Sequence, residues 1–240
     1  MQPLRLFRTL ILRPLRRDLL RSALTILAVA LGVGVVIAID LAGDAATGLR
    51  EIEKGIGLME QVEGAISTDH TTADHRAMYY LYEGEAFEHL GKLQEALDAY
   101  QKVIAQSHLP ALAVFPRTKL LTASGLASTA RVLARLGNSA EARRRYKEAL
   151  SLAEPAATSK PPSPSAQYIL TDVYAGLGNL SLRTGSSSAR ALDHGTEACR
   201  WYQMSADRWK QLPTQHSLAP NGFKVTDFST VLGQLVRCNK

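Results

Sequence analysis

The chain has 240 residues, a formal net charge of +6, 46 % hydrophobic residues and 21 % charged ones. Residues 1–21 hold six arginines (Arg5, Arg8, Arg13, Arg16, Arg17, Arg21) against one acid, Asp18, so the other 219 residues carry only +1. A nucleic-acid-binding domain needs its basic stripe on the folded part and is thereby excluded, and the length leaves room for one domain, or one domain plus an anchor.

Between the arginines stand Leu4, Leu6, Phe7, Leu10, Ile11, Leu15 and Leu19. That mixture suits either an interfacial helix on anionic lipid, interrupted at Pro14, or a basic tail that only sets topology. Residues 22–42 follow as a transmembrane helix. Ser22–Ile39 is uncharged throughout, and eighteen residues of helix reach about 27 Å against a hydrocarbon core of roughly 30 Å. The arginines place the N-terminus in the cytoplasm and everything after residue 44 outside. A cleaved signal peptide is the competing assignment; the apolar stretch is longer than a signal core, and Gly43-Asp44-Ala45 is a weak cleavage site. Ala28 and Gly32, and Ala30 and Gly34, are small residues four apart, a spacing that admits a second helix closely and is also common in any membrane helix. The run LRPLRRDLLRSALTILAVALGVGVVIAIDLA (Leu12–Ala42) resembles the start of an FtsX-like, macrolide-exporter-type ABC permease. That family has three further spans, which this chain lacks.

Residues 44–240 read as one helical repeat domain. Leu49, Ile52, Ile56, Met59 and Ile66 fall at helical spacing over 47–66, as in the second half of a preceding hairpin. Three segments near 77–110, 123–155 and 164–212 then share a skeleton. A Leu-Gly pair (Leu90-Gly91, Leu136-Gly137, Leu177-Gly178) ends one helix, and Glu-Ala-x-x-x-Tyr (Glu95 to Tyr100, Glu141 to Tyr146, Glu197 to Tyr202) opens the next. Glycine supplies the left-handed cap, alanine a close crossing, and tyrosine fills the groove beside it. Gly84 and Ala130 give the small contact on the first helix, with Thr171 in that place in the third segment. About fifteen extra residues around Arg183-Thr-Gly-Ser-Ser-Ser read as a loop in that segment. Residues 153–166, with four of the ten prolines, read as a connector, and Phe228, Val231, Leu232, Leu235 and Val236 mark a capping helix near 226–238.

This skeleton resembles the tetratricopeptide repeat (TPR), although its Leu-Gly pairs are 46 and 41 residues apart against a usual period of about 34. The resemblance implies an all-α solenoid of about three hairpins whose first helices form a concave face for a peptide or partner helix. Carried over by repeat position, the groove residues are Leu81, Glu85 and Glu88, then Ala127, Arg131 and Arg135, then Tyr168 and Asp172. The Lys and Asn positions with which chaperone-type repeats clamp a terminal carboxylate are not reproduced. The run ACRWYQMSADRWKQL and the closing LVRCN resemble the end of bacterial membrane Ser/Thr kinases with extracytoplasmic TPR regions, without their kinase domain.

No catalytic motif survives inspection. The only Gly-Lys pair, Gly91-Lys92, has Ala86 where a phosphate loop needs glycine. Asp227-Phe228-Ser229 lies too near the C-terminus for a kinase metal motif. Asp69, His70, Asp74 and His75 have ligand chemistry but not helix-face spacing, and the Asp and Thr residues before Arg76 read as helix N-cap and loop chemistry. Cys199 and Cys238 either pair, as an oxidising compartment allows, or stay as small apolar thiols. Arg143-Arg144-Arg145 lies on a polar helix face beside Glu141 and Glu148. The expectation is a single-pass protein of the bacterial inner membrane, N-terminus cytoplasmic, whose extracytoplasmic TPR domain is a scaffold for another protein. It has no enzyme activity, cofactor, metal or nucleic-acid partner. The alternatives are an accessory or truncated part of an ABC-type permease system, or the regulatory part of a membrane kinase system.

Overall fold

A computed structural model describes residues 45–63, 70–106, 114–185, 191–212, 226 and 228–238. The expected interfacial segment, the span at 22–42 and its small residues Ala28, Ala30, Gly32 and Gly34 lie outside them. Among the described residues no helix is long and apolar enough to cross a membrane.

Those residues form eight helices and no strand: α1 Ala45–Glu63, α2 His70–His89, α3 Leu93–Gln106, α4 Pro116–Arg135, α5 Ser139–Ala157, α6 Pro164–Gly185, α7 Ala191–Gln211 and α8 Phe228–Cys238. They pair as three antiparallel hairpins, α2–α3, α4–α5 and α6–α7. The first helices α2, α4 and α6 also touch one another in sequence, so they make the inner row. Helix α1 packs on α2 through buried Leu49, Ile52 and Ile56, and α8 packs on α7.

Two hairpin turns follow the glycine argument closely. Gly91 and Gly137 have φ of 74° and 85°, the left-handed region. In the first turn Lys92 N–H donates to Phe87 O and Gly91 N–H to Glu88 O; in the second, Asn138 N–H donates to Leu133 O and Gly137 N–H to Ala134 O. This is the double bond pattern of a Schellman cap. The Asn138 side chain then accepts from Glu141 N–H and starts α5.

The third hairpin departs from expectation. Leu177-Gly178 does not end a helix, because α6 runs on to Gly185. Gly178 instead leaves space for the Tyr202 ring, which a Cβ there would meet at 2.7 Å, and Gly84 does the same for Tyr100. The equivalent positions are therefore Gly84, Ala130 and Gly178, with Gly91, Gly137 and Gly185 seven residues later. The true spacing is 46 and then 48 residues, and the step from Gly185 to Glu197 is eight residues longer than the step from Gly91 to Glu95. Arg183 is helical and donates to Ala134 O rather than opening a loop. The connector is likewise shorter than 153–166. Burial of Ala153 and Ala157 carries α5 past Pro155 to Ala157, and Pro164 takes the first helical position of α6, where a missing N–H costs nothing.

A Cβ at Gly84 collides with the Tyr100 ring, whereas one at Gly233 on α8 meets nothing within 4 Å. Gly84→Ala is expected to cost about 1–3 kcal/mol, and Gly233→Ala to stabilise by roughly 0.5–1 kcal/mol through helix propensity. Chemical denaturation of the two variants checks the opposite signs.

The C-terminus is fixed by a disulfide. Cys199 on α7 and Cys238 on α8 are bonded, with Cα atoms 5.7 Å apart. Above it, Trp209 is fully buried, edge-on to Tyr168 at 5.6 Å and beside Phe228 at 6.1 Å.

Candidate functional site

The inner row brings five of the eight groove residues together. Glu85 and Glu88 come from α2, Arg131 and Arg135 from α4 and Asp172 from α6, and with His89 and Thr226 they line a recess of about 250 Å³. The spacing explains the convergence: Glu88 and His89 stand three and four residues after Glu85 on α2, and Arg135 four after Arg131 on α4, so each set flanks one helix face. Leu81, Ala127 and Tyr168 are not in the recess. They are 6 %, 2 % and 0 % exposed and belong to the core, because the inner helices also pack on their own partners and their apolar positions turn that way.

Glu88 is the hub. Its carboxylate accepts from Arg131 Nη2 at 2.8 Å and Nε at 3.2 Å, from Arg135 Nη1 at 3.1 Å and from the Tyr100 hydroxyl at 2.8 Å. Arg131 Nη1 continues to Asp172 Oδ2 at 3.5 Å, so one ion-paired chain crosses all three inner helices. Asp172 Oδ1 in turn accepts the backbone N–H and the hydroxyl of Thr226, at 2.9 and 2.8 Å.

Burial alone would raise the Glu88 carboxyl, but Arg131, the Tyr100 hydroxyl and Arg135 outweigh it and hold it below its usual value. Burial and the neighbouring carboxylates push Tyr100 well above its ordinary range. Desolvation works against the charge on Arg131, and Glu88 and Asp172 more than restore it. These shifts hold Glu88 and Arg131 charged and the Tyr100 phenol protonated across neutral pH, the reverse of what a general acid or base needs. The arrangement suits recognition by fixed charge and hydrogen bonds.

Other charged residues serve the scaffold. Arg144 and Arg145 pair with Glu141 and Glu148 on their own helix, while Arg143 reaches Glu197 of α7 at 2.8 Å. Helix α2 starts within the Asp69–Arg76 run, at His70, and Asp74 lies inside it, buried, accepting from Thr118 Oγ1 at 2.9 Å and facing Arg117 at 3.5 Å. Among the described residues no cluster of three His, Cys, Asp or Glu could hold a metal.

Sequence reasoning missed Tyr100, His89 and Thr226. His89 shares the Glu85–Glu88 face and could have been found from spacing, whereas Thr226 reaches Asp172 across 54 residues with no local signal. Asp172 reached the groove by a different route from the one assumed. The corrected register makes Ala175 and Asn179 the counterparts of Leu81 and Glu85, and Asp172 lies two turns earlier than Asn179 on the same side of α6.

A family model described as tetratricopeptide repeat matches residues 60–108 and 128–182. The crystal structure of BtubC (BKLC) from P. vanneervenii is similar in fold, with a TM-score of 0.57 and 15 % identity over 96 % of this chain and 76 % of that one. No curated protein matches. The repeat matches cover two segments of the helical array, and the likeness to the solved structure is one of fold.

Proposed function

We propose that this tetratricopeptide repeat array is a membrane-anchored scaffold that binds another protein through the recess on α2, α4 and α6, on the extracytoplasmic side, without catalytic activity of its own. Repeats of this kind are protein–protein interaction modules. The observation that carries the reading is the Glu88–Arg131–Asp172 chain. It spends charged side chains of three helices on one solvent-open recess, where partner groups can exchange with existing pairs. Recognition built on such pairs depends on ionic strength.

The topology is supported by the arginines of residues 1–21 ahead of an uncharged stretch. The Cys199–Cys238 bond agrees with an oxidising compartment.

A photo-crosslinker at position 135 of the full-length chain, expressed in its membrane, should trap a protein partner. The yield should fall with rising salt and in the Arg131→Ala variant. Protease added after the outer envelope is opened should digest residues 44–240; their protection inside the cytoplasm would refute the topology. The second reading, an accessory piece of a permease system, draws on the resemblance of residues 12–42. Crosslinking from Ala28, Ala30, Gly32 or Gly34 to a multi-span protein would favour it.

A further inference from the structure

Helix α8 is held at both ends. Its C-terminal residue, Cys238, is bonded to Cys199 on α7. At its start Phe228 packs beside Trp209, and Thr226 places both its backbone N–H and its hydroxyl on Asp172 Oδ1. Thr226 therefore does what a bound peptide would do: its main chain and side chain satisfy a carboxylate of the inner row, and it forms a wall of the recess. Along the rest of α8, Val231 is buried and Leu235 packs partly buried against the core, while Leu232 and Val236 are 40 % and 60 % exposed. An element with so few buried apolar contacts belongs to the low-stability end of a structure. Its docking then depends on the high effective concentration that a covalent tether provides.

We propose that the C-terminal segment is a tethered ligand of its own groove, with Thr226 occupying the Asp172 end and the Cys199–Cys238 disulfide acting as the latch. A dithiol reductant opens the latch: the S–S bond takes up two electrons and two protons to give two thiols, and the reductant leaves as its own disulfide. Asp172 is then released to a partner segment that offers a backbone N–H and a hydroxyl in the same way. This rests on the inner row being the partner groove, but the test contains no partner, so its failure leaves that reading standing.

Hydrogen exchange followed by mass spectrometry decides it. The samples are the full-length oxidised chain, the same chain in dithiothreitol, the C199S/C238S variant and the oxidised Asp172→Ala variant. Residues 226–238 should exchange at least about tenfold faster in both latch-free samples, with residues 70–157 unchanged. Asp172→Ala should speed exchange at residue 226 without reductant. Unchanged exchange of the cap after reduction would mean that packing alone holds it and would overturn the proposal. A uniform rise through residues 70–157 would overturn it by making the disulfide a general staple. An Asp172→Ala variant that exchanges like the native chain at residue 226 would show that Thr226 is not docked there.

Discussion

Trp209→Ala is expected to lower the unfolding free energy of the oxidised protein by about 3–5 kcal/mol, the range for truncating a large buried aromatic. The indole is fully buried between Tyr168 of α6 and Phe228 of α8, so its loss opens a cavity where two elements meet. Among the described residues its Nε1–H has no hydrogen-bond acceptor, so the side chain contributes through packed area rather than polarity. Trp209→Phe should consequently cost much less, about 1–2 kcal/mol, since it keeps a ring and removes an unpaired donor. Urea titrations followed by circular dichroism compare the two. Equal losses would mean that the indole N–H matters after all.

Glu88→Gln is expected to cost about 2–3 kcal/mol at neutral pH, at or below the range for a broken buried pair. The reduction reflects the two arginines, whose side chains are 36 % and 39 % exposed and partly solvated once the carboxylate is gone. The pH dependence follows from the same geometry. Burial pushes the carboxyl up, but Arg131, Tyr100 and Arg135 prevail, so Glu88 titrates below its ordinary 4.5 in the folded chain. A depressed folded value adds stability that is complete above the unfolded value and is lost as pH falls through the folded one. The stability gap between the native chain and Glu88→Gln should thus be constant from about pH 6 to 8 and close as pH falls from about 5 towards 3. Denaturant midpoints across that range test it. A gap that widens in acid would contradict the assigned ion pairs.

The hairpins were legible because their signals are local. Gly91 and Gly137 need a left-handed backbone, and each is followed after four residues by the Glu-Ala step that opens the next helix. The same signal misled in the third hairpin. There Gly178 answers to the Tyr202 ring and not to a turn, and a glycine's sequence context does not separate the two demands. Glu85, Glu88, Arg131 and Arg135 line the recess at the positions that repeat spacing marks on α2 and α4, whereas Asp172 lies there through a register other than the one expected. The apolar half of the groove was not legible. Leu81, Ala127 and Tyr168 occupy inner-helix positions too, but whether such a side chain faces a partner or the core depends on the tilt of helices that meet only in three dimensions. Thr226 depended on long-range closure of the C-terminus and had no sequence signature.

Tyr146 adds a property of the array as a whole. It belongs to α5, yet its ring fills the space left by Gly176 on α6, and Arg143 on the same helix grips Glu197 beyond it. In a solenoid, how far unfolding spreads depends on the strength of the contact between neighbours relative to the stability of each unit. A ring keyed into the next unit, with an ion pair beside it, raises that contact between the second and third hairpins. These two hairpins are therefore expected to unfold as one cooperative block. A destabilising change in either should then be felt by both, and the inner row should keep its spacing until the block is lost together.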